Sequence, residues 1–407
     1  MLDVWPALLL VVWCRGRYKT GSVDNIIAGL ECSDRVCQII LVSVRSSDWE
    51  ILFAPMQQPF PELTRLIIRS DDHHVPLVPG SFLGGSAPRL EYFSLHGIPI
   101  SGLPKLLLSA THLVYLRLSD DTGYISPKAM VTALSVLTSL EELLLQILYL
   151  PHQPSRRPPR STRSVLPVLE YFQFNGATRY LEDLVARIDS PRLTALDMYF
   201  FDDEIVSHTR QLVQFINRTP MSSALEEANI TFHDVFVEFN FLSRTSSYGR
   251  LDVKINSRGL DRQLSSVAQV CTSCLPPLSI LEDLYIYEQT RWDWKDDIEN
   301  GLWLRLLHPF TAVKNLYLSE KVALHIGSAL QELAEGRTTE VLPALQNIFL
   351  GGLESWEPVQ EGIAKLVAAR QVASRPVAVS RWDDLDDSDS VQGDSDWDDS
   401  DPEQDEF

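Results

Sequence analysis

The chain has 407 residues, 45% of them hydrophobic and 22% charged, with a net charge of −20. That composition suits a long continuous core and excludes a disordered chain as a whole. The acidic balance excludes a basic nucleic-acid footprint, and five cysteines without framework spacing fit a reducing, intracellular compartment, cytoplasmic or nuclear.

The chain opens on an apolar run, Ala7-Leu8-Leu9-Leu10-Val11-Val12-Trp13-Cys14. Asp3 stands where a signal peptide carries its basic leader, and Arg15, Arg17 and Lys19 follow the run, the reverse of a signal peptide's order. It is too short to span a bilayer as a helix, so no membrane contact is expected. It reads as a buried strand that starts the first repeat.

A six-residue frame then recurs. LTRLII at 63–68, LEYFSL at 90–95, LVYLRL at 113–118 and LEELLL at 140–145 share the form L-x-x-L-x-L. LEYFQF at 169–174, LTALDM at 193–198, LEDLYI at 281–286, VKNLYL at 313–318 and LQNIFL at 345–350 continue it. Positions 36–41 and 225–230 are looser copies, and Leu251, Val253 and Ile255 mark one more. Twelve frames start about 28 residues apart on average, the period of a leucine-rich-repeat solenoid. A single repeat cannot bury its own apolar face, so the repeats must stack.

Segments of helical period separate the frames. Residues 102–112 put Leu103, Leu106, Leu107 and Ala110 on one face; 126–137 begins with Ser126 as a cap and Pro127 at the first helical position. Residues 180–188, 205–216, 263–274, 298–307, 324–334 and 359–369 follow the same pattern. The predicted architecture is an α/β horseshoe, with a parallel concave sheet of about twelve strands and helices on the convex side. It fills residues 1–382, with an exposed Pro/Arg-rich loop at 151–164 and the weakest repeat at about 239–260. Residues 383–407 hold eleven Asp, two Glu and no Lys or Arg, and read as a disordered acidic tail. This tail either solubilises the protein or folds back on the basic end of the concave face. Ser395 and Ser400 each have an acidic residue three positions on, a pattern acidophilic kinases accept.

The usual signatures of chemistry do not assemble. Cys271-Thr272-Ser273-Cys274 is half a zinc motif, but Cys32 and Cys37 lie about eight strands away in a solenoid, too far to complete it. His73-His74 and Asp202-Asp203-Glu204 read as solvated loops. The Gly-rich run at 80–86 lacks the lysine and following helix of a phosphate loop. Trp292 and Trp294 are either a partner contact or half-buried against a neighbouring repeat. No catalytic residue, metal site or cofactor is therefore expected.

The concave face carries the stronger signal. In each frame the third and fifth positions, and the one just past the end, alternate away from the core. Seven of the twelve tyrosines fall there. Tyrosine is enriched at protein interfaces, and it also favours strands, which raises the count without any partner. The predicted protein-binding set is Arg65, Arg69, Tyr92, Tyr115, Arg117, Tyr171, Tyr199, Asp283, Tyr285, Tyr287, Tyr317 and Phe349. Arginines crowd the N-terminal third of the face. Glu142, Asp197, Glu227 and Asp283 occupy the middle, so a target of opposite gradient would dock in one orientation.

Several runs give the chain a kinship. They are PFPEL at 59–63, SFLGGSAPRL at 81–90, GLPKLLLSATHL at 102–113, LPPLSILEDL at 275–284 and GRTTEVLP at 336–343. In these runs, covering about residues 5–382, the chain resembles the leucine-rich-repeat part of the F-box proteins of mushroom-forming (basidiomycete) fungi. The resemblance implies the substrate-receptor role of a cullin-type ubiquitin ligase, in which an F-box binds the Skp adaptor and the repeats hold a target. The sequence begins almost at the first repeat, without an F-box. Skp is therefore an expected partner only if an F-box lies upstream. The alternative is a stand-alone leucine-rich-repeat scaffold with an unknown target.

Overall fold

The computed structural model describes residues 8–16, 22–70, 76–119, 124–147, 163–201, 209–223, 225–243, 249–273, 278–289, 298–336, 341–351 and 357–382. His73-His74, Asp202-Asp203-Glu204, Cys274, Trp292, Trp294, nearly all of the 151–164 loop and the 383–407 tail lie outside them.

The strands are β1 (Leu10–Arg15), β2 (Val36–Val42), β3 (Arg65–Arg69), β4 (Tyr92–His96), β5 (Tyr115–Ser119) and β6 (Glu142–Ile147). Then come β7 (Ser164–Val165), β8 (Tyr171–Gly176), β9 (Ile188–Asp189), β10 (Ala195–Phe200), β11 (Glu227–Phe232) and β12 (Phe236–Leu242). The last are β13 (Arg250–Asn256), β14 (Asp283–Glu288), β15 (Asn315–Leu318), β16 (Asn347–Gly351) and β17 (Ala378–Trp382). Fifteen of them form one sheet; β7 and β9 pair apart from it.

Alternation decides which way each strand faces. In β3 to β5, Leu66, Ile68, Phe93, Leu95, Leu116 and Leu118 are fully buried, while the residues between them are mostly half-exposed. The buried side is covered by helices that pack side by side. They are α3 (Leu103–Ser109), α4 (Pro127–Leu134), α5 (Thr178–Val185) and α6 (Arg210–Ile216). The next four are α7 (Leu260–Ser273), α8 (Asn300–Leu307), α9 (Glu320–Gly336) and α10 (Glu357–Val372). Before them, α1 (Ser22–Leu30) and α2 (Trp49–Phe53) cover the N-terminal strands. Ser126 caps α4 as its sequence implied, accepting from the Ala129 amide at 3.3 Å. Glu182 of α5 caps its neighbour α6, accepting from the amides of Gln211 (3.0 Å) and Leu212 (2.7 Å).

A backbone thread ties the repeats together at one fixed position. Glu91 N–H donates to Thr64 O, Val114 to Glu91, Glu141 to Val114 and Glu170 to Glu141, each at 2.8–2.9 Å. Beyond the middle of the sheet, Lys314 donates to Glu282, Gln346 to Lys314 and Ala378 to Gln346, all at 2.8 Å. The repeats therefore stack in register, and equivalent residues form rows across the sheet.

Three strands exceed the twelve expected from the frames. β1 is an edge strand parallel to β2; Val12 and Cys14 are buried, whereas Val11 and Trp13 are exposed. β17 forms the opposite edge, parallel to β16. The third, β12, corrects the expectation of a wholly parallel sheet. It runs antiparallel to both β11 and β13. Strand order through this region is β10-β13-β12-β11-β14, so the frames at 225 and 250 are not successive neighbours. In the stretch expected as the weakest repeat, the described residues include most of β12 and all of β13. Val237, Phe239 and Phe241 of β12 are buried, and Phe239 meets Phe310 edge-on, with ring centroids 6.3 Å apart. Buried Gln263 of α7 fastens this meander. Its amide nitrogen reaches the carbonyls of His233 and Ser257 at 2.8 Å and of Phe236 at 3.3 Å.

The register of β12 makes a sharp prediction. Phe239→Ala should cost about 3–5 kcal/mol in urea unfolding, the usual toll for emptying an aromatic core site. Phe236→Ala, on the same strand but facing outward, should cost under about 1 kcal/mol. A larger loss for Phe236→Ala than for Phe239→Ala would show the strand facing the other way, and equal losses would contradict the alternation.

Candidate protein-binding face

The open side of the sheet carries the sequence-predicted residues in rows, and these fall into three zones.

The N-terminal zone lies on β3 to β5. Tyr92 and Tyr115 are in register and stack face to face, 4.1 Å between centroids and 2° between planes. The Arg65 guanidinium sits 4.5 Å from the Tyr92 ring centroid, a cation–π contact. Arg69 and Arg117 are half-buried on the same face. Burial, reinforced by Tyr115, pushes the Tyr92 phenol well above its usual pKa. The His96 ring and the Ser119 hydroxyl are 3.0 Å apart.

The central zone exists because the meander places β13 beside β10. Asp197 and Asp252 are in register on these two strands. Arg250 bridges them, with donors 3.0 Å from Asp197 Oδ2 and 2.5 Å from Asp252 Oδ2. The Tyr171 hydroxyl donates to the same Asp197 oxygen at 2.7 Å. Burial, then the Asp197 charge, raises the Asp252 pKa to about 7, against the pull of Arg250. Glu238 of β12 behaves oppositely. Burial would raise its pKa, but the His233 ring, 3.6 Å away, and the Lys254 ammonium, 3.1 Å away, hold it at about 2. Tyr199 lies at the edge of this zone against Phe201, 4.7 Å between centroids.

The C-terminal zone is aromatic. Tyr285, Tyr317 and Phe349 occupy one row of β14, β15 and β16. They stack at 4.1 and 4.5 Å with planes within 10°. Tyr287 extends the platform along β14. Trp382 of β17 leans across it, 5.9 Å from Tyr285, 5.6 Å from Tyr287 and 5.5 Å from Tyr317. Small residues open its path, since its register partner is Gly351 and Ser319 follows the β15 strand.

Two predicted contact residues change role. Asp283 faces the open side but is fully buried, accepting from the Asn315 amide at 2.6 Å. Asn347 in turn donates to Asn315 at 2.7 Å, so Asp283 anchors an amide ladder beneath the surface. The Tyr171 hydroxyl is committed to Asp197 and offers a partner only its ring. The sequence reading missed Arg250, Glu238 and Trp382. Trp382 had a signal in its spacing, since it lies one repeat length after Gly351.

Among the described residues, Cys14, Cys32 and Cys37 are free thiols. Among the described residues no group of three or more His, Cys, Asp or Glu could hold a metal ion. Among them, too, no helix is long and apolar enough to cross a membrane.

No protein-family model matches the chain, and no curated protein sequence matches it. Solved structures do. The chain is similar to the leucine-rich repeat-containing protein LegL7 from Legionella pneumophila at 11% identity and a TM-score of 0.32, covering 88% of this chain and 97% of that one. It is also similar to TLR13 in its complex with ssRNA13, at 14% identity and a TM-score of 0.28, covering 77% of this chain and 38% of that one. The solenoid assignment stands on the chain's own sheet order and register.

The carboxylates of the central zone predict a pH dependence. Asp252 holds its proton more tightly folded than unfolded, so its contribution to stability falls as pH climbs from about 4 to about 7. Glu238 contributes in the opposite sense, stabilising above the usual carboxylate pKa and losing this as pH falls towards 2. Asp252→Asn should therefore come closest to the parent protein in melting temperature at about pH 4 and exceed it by a growing margin up to about pH 8. Melting curves that stay parallel across that range would contradict the assignment.

Proposed function

We propose that the protein is a recognition module that binds a protein partner through the open face of its sheet. The observation that carries this is the C-terminal aromatic platform. Tyr285, Tyr287, Tyr317 and Phe349 are half-buried on a strand surface over which none of the described helices lies, held rigid by mutual stacking, with Trp382 leaning across the three tyrosines. Rigid aromatic area that costs little conformational entropy on binding is what interface hot spots supply. The central zone, by contrast, spends its charges internally through Arg250, Lys254 and their carboxylates.

In the finer form of this reading, the module is the substrate-binding part of an F-box-type ubiquitin-ligase receptor. The support is the sequence resemblance of the repeat region, and the Skp adaptor would be engaged by an F-box encoded upstream. The alternative is a stand-alone scaffold with no ligase link. An in-frame upstream F-box together with co-purification of Skp separates the two.

The shared claim is tested on the platform. A photo-reactive residue at Tyr287 should cross-link a discrete partner from cell extract, whereas one at exposed Leu324 on α9 should not. With the partner in hand, Tyr285→Ala and Tyr317→Ala should each weaken binding at least about tenfold, as truncated hot spots do. The far-ultraviolet circular dichroism should stay unchanged. Binding that survives both substitutions would move the interface elsewhere.

A further inference from the structure

The N-terminal zone is left over by the aromatic platform, and the charged residues that its strands turn to the open side are all basic. On β1 to β5 the strand residues facing the open side include Arg15, Arg65, Arg69, Arg117 and His96, and no Asp or Glu. Among them lie apolar and aromatic positions: Trp13, Ile40, Ile67, Tyr92 and Tyr115. What matters is the sign of the charge on this surface, not a vacant donor. Its chemistry suits an acidic peptide with an aromatic side chain.

The chain itself contains such a peptide. Residues 383–407 carry thirteen acidic residues and no basic one, and Trp397 sits within them between Asp396 and Asp398. The structure adds where this segment starts. Trp382 is its root, packed over Tyr285, Tyr287 and Tyr317, so the segment begins at the C-terminal end of β17, beside the aromatic platform.

Reach can be checked against the sheet order. Ten strand steps separate β17 from β5, about 48 Å at about 4.8 Å per step. Trp397 follows Trp382 by fifteen residues, which extended span about 50–54 Å. Trp397 therefore reaches the Tyr92–Tyr115 stack, and the acidic residues beyond it reach Arg65 and Arg69.

We propose that the acidic segment 383–407 docks in cis along the open face, with Trp397 beside the Tyr92–Tyr115 stack and its carboxylates against the arginines of β3 to β5. The contact places a competitor on the partner-binding face. That consequence rests on the recognition reading above, whereas the docking does not and is measured with no partner present.

The test uses the full chain with a benzoylphenylalanine at Trp397, irradiated and then resolved into monomer and dimer before peptide mapping. In the monomer, cross-links should concentrate on residues 65–69, 92–96 and 115–119. Raising salt from 50 to 500 mM should reduce them several-fold, because opposed surface charges are screened. Arg65→Glu with Arg117→Glu should reduce them at least fivefold; if that variant does not fold, the salt series on the parent chain decides. Cross-links on the helices, spread evenly, insensitive to salt, or confined to the dimer would each overturn docking in cis.

Discussion

The in-register stacking of one short apolar strand on the next is the constraint on which the rest depends. Each frame buries two or three side chains that a lone repeat would leave in water, and the backbone thread from Thr64 through Glu170 fixes the offset between repeats. Once the offset is fixed, surface residues have no freedom of position. Tyr285, Tyr317 and Phe349 stack because Leu284, Leu316 and Ile348 beneath them are packed in the same register. The glutamates and basic residues at the rim obey it too, with Glu62 paired to Arg89, Glu170 to Arg192 and Glu282 to Lys314.

The meander tests that constraint. Inserting an antiparallel strand ought to break a solenoid, since its ladder has a different hydrogen-bond pattern. Here it does not, because β11 and β13 both keep the direction of the parallel strands and β12 alone is reversed. The two outer strands present ordinary parallel edges to β10 and β14. The consequence is chemical as well as topological. Asp252 is brought beside Asp197, and Glu227 takes a place three strands from β10. Two carboxylates side by side need a cation, and Arg250 at the head of β13 supplies it.

How far the sequence reveals this follows from which interactions are local. The leucine frames, the helices between them and the Ser126 cap depend on neighbours in sequence, so they were legible. The tyrosine rows were legible because alternation within a strand is local too. The order β10-β13-β12-β11 was not, because frames starting at 225 and about 250 look like consecutive repeats whichever way they are laid down. β12 itself shows alternation in FVEFNFL but lacks the leucine spacing, so it escaped a search for repeats. Asp283 misled for a different reason. A carboxylate at an outward position reads as exposed, and only the asparagines at the same position of the next two repeats, Asn315 and Asn347, betray a ladder.

The distribution of charge and aromatic surface along the face then has a physical logic. A row of like side chains can be stabilised within the sheet either by stacking or by pairing opposite charges. Stacking leaves ring edges and outer faces open to a partner, while pairing consumes the groups that a partner would need. The middle of the sheet uses pairing: Arg250 is held by two carboxylates and Lys254 by Glu238. Both ends use stacking, with Tyr92 on Tyr115 and Tyr285 on Tyr317 and Phe349. Stacked aromatic surface is thereby concentrated at two places joined by a span whose charges are paired. A ligand touching both must be extended, which favours a long peptide or a broad protein surface over a compact one.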